Sequence, residues 1–207
     1  WIFIAMICAW SLRLGIYLGR RVFSHLDVED GRYLTLRQEY GNQVALRFFR
    51  FFMIQAASVV FLLLPLYFVL SGAQSIVDDT TFSLHPARAI AILLWLTGWI
   101  GESFADAQLS HFKRNPVNKG KVCEVGLWSW SRHPNYFFEI VIWFGFGSYA
   151  LTIPNGWIAM TAPLFMTYLI SQVTGVPYAE AQNLKSRGER YRDYQSRVSR
   201  LIPLPPK

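Results

Sequence analysis

Cysteine is scarce in this chain of 207 residues: there are two, Cys8 inside an apolar run and Cys123 in a polar loop. Two thiols so placed support neither a disulfide framework nor a Cys-rich metal site. The four histidines show no ligand spacing, a His-Glu-x-x-His pattern is absent, and no metal is expected. Charge is also sparse, at 16% of residues against 53% hydrophobic, and mean hydropathy is +0.24. A soluble domain spreads its charges over its surface, whereas here they are bunched between long apolar runs, the profile of a membrane protein that crosses the bilayer several times.

The runs with little or no charge lie at 1–12, 51–70, 89–101, 140–153 and 156–176. Two reach the ~20 residues that a helix needs to cross ~30 Å of hydrocarbon, and the others reach it with the polar residues at their inner ends. The expectation is an all-α bundle of about five transmembrane helices, forming a single membrane-embedded domain over 1–207. The chain starts at Trp1 inside an apolar run, which suggests further spans before it; no secretory signal pattern is present.

Eighteen of the twenty Lys and Arg residues fall on one alternating side, in the segments 20–50, 113–132 and 185–207. That side is cytoplasmic by the positive-inside rule, so the net charge of +7 reflects topology and needs no nucleic-acid partner. The expected location is a multi-pass integral protein of a bacterial inner membrane. The opposite loop carries Asp78, Asp79 and Arg88.

Several local readings follow. A short helix is expected over 34–40 after the polar stretch Asp27 to Tyr33, and Pro65 is expected to kink the second span. Pro154-Asn155-Gly156 forms a tight outer turn with Trp157 at the interface, and an amphipathic helix covers 177–198. On the third span Glu102, Asp106, Leu109 and Lys113 recur at helical spacing, which gives either a binding face of two carboxylates and a Lys or a solvated end with paired charges. Gly145-Phe146-Gly147-Ser148-Tyr149-Ala150 fits the letters of a dinucleotide fingerprint but lies within an apolar helix, where glycines serve close helix packing. The densest polar cluster, Arg132-His133-Pro134-Asn135-Tyr136 with Glu139, runs directly into the fourth span. A carboxylate there needs a partner, a ligand or water, since an unpaired acid at the bilayer centre costs roughly 2.5–3.5 kcal/mol.

Three ordered motifs, Glu29-Asp30-x-Arg32-Tyr33, Ala105-Asp106-x-Gln108-Leu109-x-x-Phe112-Lys113-x-x-Pro116-x-Asn118-Lys119-Gly120-Lys121 and Gly126-Leu127-Trp128-x-x-x-Arg132-His133-Pro134-Asn135-Tyr136-x-x-Glu139, together with the final Ile202-Pro203-Leu204-Pro205-Pro206, resemble the membrane-embedded steroid 5-alpha-reductase-like family, in particular its bacterial branch. The resemblance covers essentially the whole chain. It implies a helical oxidoreductase that binds NADPH on the cytosolic side and reduces a C=C bond conjugated to a carbonyl in a steroid-like or other lipid substrate taken from the bilayer, acting as a monomer. By matching positions, the resemblance makes Arg13, Arg21, Lys113 and Lys121 contacts of the cofactor phosphates. Glu102 and Asp106 become polar groups around its adenosine half, and Asn135, Glu139 and Trp143 the shell of the nicotinamide. His133 and Tyr136 are cofactor contacts or acids, or else a helix cap and interface anchors. Glu180 either orients the cofactor or is an ordinary exposed acid, and Tyr191 and Tyr194 are packing residues.

Two positions depart from the family pattern: Trp10 stands where steroid-reducing members have a Tyr that polarises the ketone, and Phe138 where the motif usually has Gly. An indole can donate a hydrogen bond but supplies no proton as a phenol does. The family's catalytic Gln and Glu would precede Trp1, which leaves the catalytic residues of this chain unknown. The Arg-His-Pro-x-Tyr core and basic tail also resemble the isoprenylcysteine carboxyl methyltransferases, so an S-adenosylmethionine-dependent methyltransferase is the alternative, with a non-catalytic sterol or lipid binder as a third reading.

Overall fold

The computed structural model describes residues 1–23, 31–72 and 86–206, with the side chains of Arg21, Gly31, Arg32 and Thr35 excepted. The polar stretch at 24–30 and the loop bearing Asp78 and Asp79 lie outside the described residues. The chain divides into two compact units, 1–63 and 64–207.

The first unit contains α1 (Ile2–Phe23), α2 (Gly31–Tyr40) and α3 (Val44–Leu62), with a single 3-10 turn at Gly41–Gln43 between the last two. Their side chains point largely outward: Ile54 is 68% exposed and Val60 70%. In water such a surface is untenable, and in lipid it is the expected one. At the start of the second unit α4 (Leu64–Ser71) follows a one-residue break at Leu63, two positions before Pro65, whose missing N–H interrupts the ladder as expected.

The second unit is built on α5 (Pro86–Arg114) and α6 (Pro134–Ala150). Glycine brings them together. A Cβ at Gly98 would lie 2.7 Å from the Ile142 backbone nitrogen and 2.8 Å from the Phe138 carbonyl, and one at Gly145 would lie 2.7 Å from the Trp95 Cβ. Gly147 backs in the same way onto Pro163 and Met160, at 2.9 and 3.0 Å from a notional Cβ. The fingerprint-like run is thus a close-packing element, as its apolar context indicated.

Among the described residues, three stretches suffice by length and composition to cross a membrane: Ile2–Arg20, Leu36–Ser71 and Pro86–Arg114. The fourth and fifth predicted runs fold as shorter pieces. α6 has 17 residues, most of them buried, and the run after Gly156 divides into a 3-10 turn (Gly156–Met160), α7 (Thr161–Tyr168) and a π-helical turn (Leu169–Val173). Two features shape that last run: Asn155 is left-handed at φ 59°, and Gly156 sits against the Ala150 carbonyl where no side chain fits. Trp157 is exposed beside this turn.

The predicted amphipathic helix over 177–198 is two helices, α8 (Val176–Arg187) and α9 (Glu189–Arg197). Gly188 separates them at φ 55°, ψ −126°, a conformation that only glycine adopts readily. Among the described residues there are no strands, only one isolated parallel bridge between Ser131 and Ser199.

Candidate functional site

The site is assembled where α5, the segment leading into α6 and the C-terminal helices meet. Asn115, Pro116 and Asn118 end α5: the Asn115 side chain accepts from the Val117 N–H at 3.1 Å, and Asn118 Nδ2 donates to the Phe112 carbonyl at 2.9 Å. The chain then turns back onto α5. Gly126 at φ 56° lies against the Gln108 side chain, Leu127 N–H donates to Gln108 Oε1 at 2.9 Å, and Trp128 Nε1 donates to the Ala105 carbonyl at 2.9 Å. Two of the sequence motifs are therefore the halves of one joint, with Ala105 and Gln108 receiving Gly126 to Trp128.

Pro134 opens α6 at its first helical position, where its missing N–H costs nothing, and it holds His133 in a non-helical conformation. His133 occupies the cap position without capping by its side chain. Its buried ring stacks on Tyr136, with centroids 5.7 Å apart, and its Nε2 lies 3.3 Å from Glu180 Oε1. Arg132 Nε donates to the same oxygen at 2.8 Å, and Gln195 Nε2 donates to Glu180 Oε2 at 2.9 Å. Glu180 is thus no ordinary surface acid. Burial opposes its ionisation, but hydrogen bonds from His133 and Arg132 and the Arg132 charge outweigh that and hold it at about 2.

A C-terminal strap completes this joint. Arg132 Nη1 donates to the Gln195 and Val198 carbonyls, both at 2.8 Å, and Arg132 N–H to Ser199 at 2.8 Å. Ser131 Oγ donates to Leu201 at 2.7 Å, and Leu204 N–H to Trp130 at 3.1 Å. Tyr194 is buried and donates to the Trp128 carbonyl; burial raises its phenol and that of Tyr191 above the ordinary value. Both are packing residues, as expected.

At the second residue of α6, Asn135 Nδ2 donates to Asp106 Oδ1 at 3.3 Å, which joins the polar cluster to the face predicted on the third span. Its Oδ1 is buried and has no hydrogen-bond partner among the described residues. Glu139 Oε1 accepts from Trp143 Nε1 at 2.9 Å, and the Trp143 ring is buried edge-on against Phe146. Glu102 is buried on α5, 8% exposed, whereas Lys113 and Lys121 are exposed at its C-terminal end and in the loop beyond. Lys113 and Arg187 act electrostatically on Cys123, and Arg187 Nε donates to the Lys121 carbonyl at 2.9 Å, so two basic side chains share this neighbourhood with the Lys121 backbone. Phe138, the departure from the family pattern, lays its ring on Gly101. Arg13 and Arg21 are carried by α1 in the first unit, with Trp10 one turn before Arg13.

Sequence reasoning left Glu180 undecided and did not single out Gln195, Ser199 or Leu201. The proximity of position 180 to position 132 has no local periodic signal.

No solved structure matches the chain. A 66-residue stretch, 32% of the chain, is 36% identical to the "Probable O-methyltransferase ustE" of Ustilaginoidea virens, and the match spans 23% of that protein. A family model described as "Protein of unknown function (DUF1295)" matches residues 1–198, and the chain belongs to that family.

Proposed function

We propose that the chain is a multi-pass membrane reductase that uses NADPH from the cytoplasmic side to reduce a C=C bond conjugated to a carbonyl in a hydrophobic substrate. The observation that carries this reading is the half-used carboxamide of Asn135: its nitrogen is engaged by Asp106, while its buried oxygen lacks a donor. A buried acceptor of that kind fits the amide N–H of a nicotinamide. Lys113 and Lys121 suit the phosphates, which carry several negative charges and here have no glycine-rich helix N-terminus to hold them. Glu139, four residues on from Asn135, points the same way from α6, and Trp143 beside it keeps water out.

NADPH supplies a hydride when bound, and the reduction also consumes one proton. A hydrogen-bond donor at the substrate carbonyl would stabilise the enolate that develops. The resemblance to steroid 5-alpha-reductase-like proteins supports the reaction class, and the apolar surfaces of the long helices support delivery of substrate from the bilayer. The strap holds Arg132 and His133, and through them the start of α6, so that Asn135 meets Asp106 at a fixed height.

One observation favours a second reading, S-adenosylmethionine-dependent methyl transfer: the partial match to a protein named as an O-methyltransferase. S-adenosylmethionine has no phosphates for Lys113 and Lys121 to bind, which favours the dinucleotide. Calorimetric titration of purified protein in detergent separates the two. NADPH is expected to bind, and Asn135→Ala to weaken it by roughly tenfold, the worth of one buried hydrogen bond of about 1.4 kcal/mol. Heat with S-adenosylmethionine alone would overturn the reductase reading.

A further inference from the structure

The α5–α6 seam continues past the polar site into the apolar interior, and it changes character there. On α5, Trp95, Trp99, Glu102 and Asp106 share one helical face. On α6, Asn135, Glu139, Trp143 and Phe146 do the same. The two faces meet at both ends: Asn135 touches Asp106, and the Trp95 and Phe146 rings lie 6.4 Å apart. The polar end is thus prolonged by an aromatic end formed by Trp143, Phe146, Trp95 and Trp99.

Of the three indoles in this seam only Trp143 has its N–H satisfied, by Glu139. The Nε1 atoms of Trp95 and Trp99 are both buried and have no hydrogen-bond partner among the described residues. Nor do the two rings satisfy each other. They stack at 5.9 Å with only 16° between their planes, so each N–H, lying in its own ring plane, does not point at its neighbour's face. A buried donor left unmade costs about 1–3 kcal/mol, and hydrocarbon offers no water to relieve it. Phenylalanine at either position would fill much of the same space without that cost.

We infer that Trp95 and Trp99 form a subsite for a hydrogen-bond-accepting oxygen of a lipid ligand, a carbonyl, ester or hydroxyl group remote from the end that faces the nicotinamide at Asn135 and Glu139. Helical rise places Trp99 about 10 Å and Trp95 about 16 Å along α5 from Asp106. A lipid that reacts beside the nicotinamide and reaches these indoles therefore carries an apolar body with the reacting group at one end and an oxygen function at the other. This deepens the reductase reading and rests on it for the identity of the near end only; the far oxygen is recognised whatever chemistry follows.

The test uses the full chain in lipid nanodiscs with two probes, androst-4-ene-3,17-dione and androst-4-en-3-one, which share the enone and differ in the far oxygen. Equilibrium binding is measured for the unsubstituted protein, Trp95→Phe and Trp99→Phe. The dione is expected to bind roughly tenfold more tightly than the mono-ketone, with the ratio falling toward one in at least one Phe variant. A ratio near one in the unsubstituted protein, binding of neither probe, or a ratio unchanged in both variants overturns the inference, as does loss of both probes together in both variants. NADPH is titrated into the unsubstituted protein separately. If it fails to bind while discrimination between the probes persists, the reductase reading falls and the oxygen subsite stands.

Discussion

Glu180 sits where burial alone would keep a carboxyl protonated, with its side chain 16% exposed, yet Arg132 and His133 converge on one of its oxygens and Gln195 on the other. Its folded-state value of about 2 lies below the ordinary 4.5, so the carboxylate contributes stability that is fully present above about pH 4.5 and is lost as the pH falls toward 2. Linkage makes this contribution about 3 kcal/mol at neutral pH. Glu180→Gln keeps the shape and removes the charge, leaving the Arg132 guanidinium, 10% exposed, without its counter-ion. Thermal unfolding in detergent is expected to show the variant destabilised by about 3 kcal/mol at pH 7, with the gap narrowing below pH 4.5. An equal gap at pH 7 and pH 3 would mean that packing, not charge, ties α8 to the start of α6.

At the scale of elements, the α5–α6 seam depends on glycines that differ in what opposes them. Gly98 faces backbone, the Ile142 nitrogen and the Phe138 carbonyl, which cannot move without shifting α6. The nearest atoms opposite Gly101 all belong to the Phe138 ring. Alanine at either position is expected to cost about 1–3 kcal/mol through overpacking. The two should respond differently to Phe138→Ala: that change rescues Gly101→Ala and leaves Gly98→Ala destabilised, as read by melting temperature in detergent. Rescue of both, or of neither, would show that the helices adjust their spacing freely. The helices themselves were largely legible in the sequence, because long apolar runs, Pro134 at a helix start and the Pro154-Asn155-Gly156 turn are local signals. The division at Gly188 was not, since charged residues continue at helical spacing on both sides of it. The Phe138–Gly101 fit was also hidden: a Phe in place of the usual Gly reads as an obstruction until the facing helix shows a glycine opposite. The site was half legible. Asp106 was picked out by the periodic face of its span and Asn135 by the polar cluster that enters the next one, whereas the grip of Glu180 on residues 47 and 48 positions away has no counterpart in local pattern.

For the whole molecule, the distribution of basic residues and the position of the site make one joint statement about orientation. Lys113, Lys121 and Asn135 all lie at one end of the seam, within or next to the basic segment 113–132, and the 154–156 turn lies beyond the other end of α6. NADPH is a cytosolic metabolite that does not cross bilayers unaided, so the reductase reading requires the basic end to be cytoplasmic, as the positive-inside rule independently predicts. Single cysteines introduced by Lys119→Cys and Pro154→Cys, both at exposed positions, test this with a membrane-impermeant maleimide; the native Cys8 and Cys123 are first replaced by Ser and Ala. In intact cells position 154 is expected to be labelled and position 119 protected until the membrane is permeabilised. The reverse pattern would put Asn135 and the lysines on the side that lacks the nucleotide, and no local chemistry at Asn135 would then restore the proposed reaction.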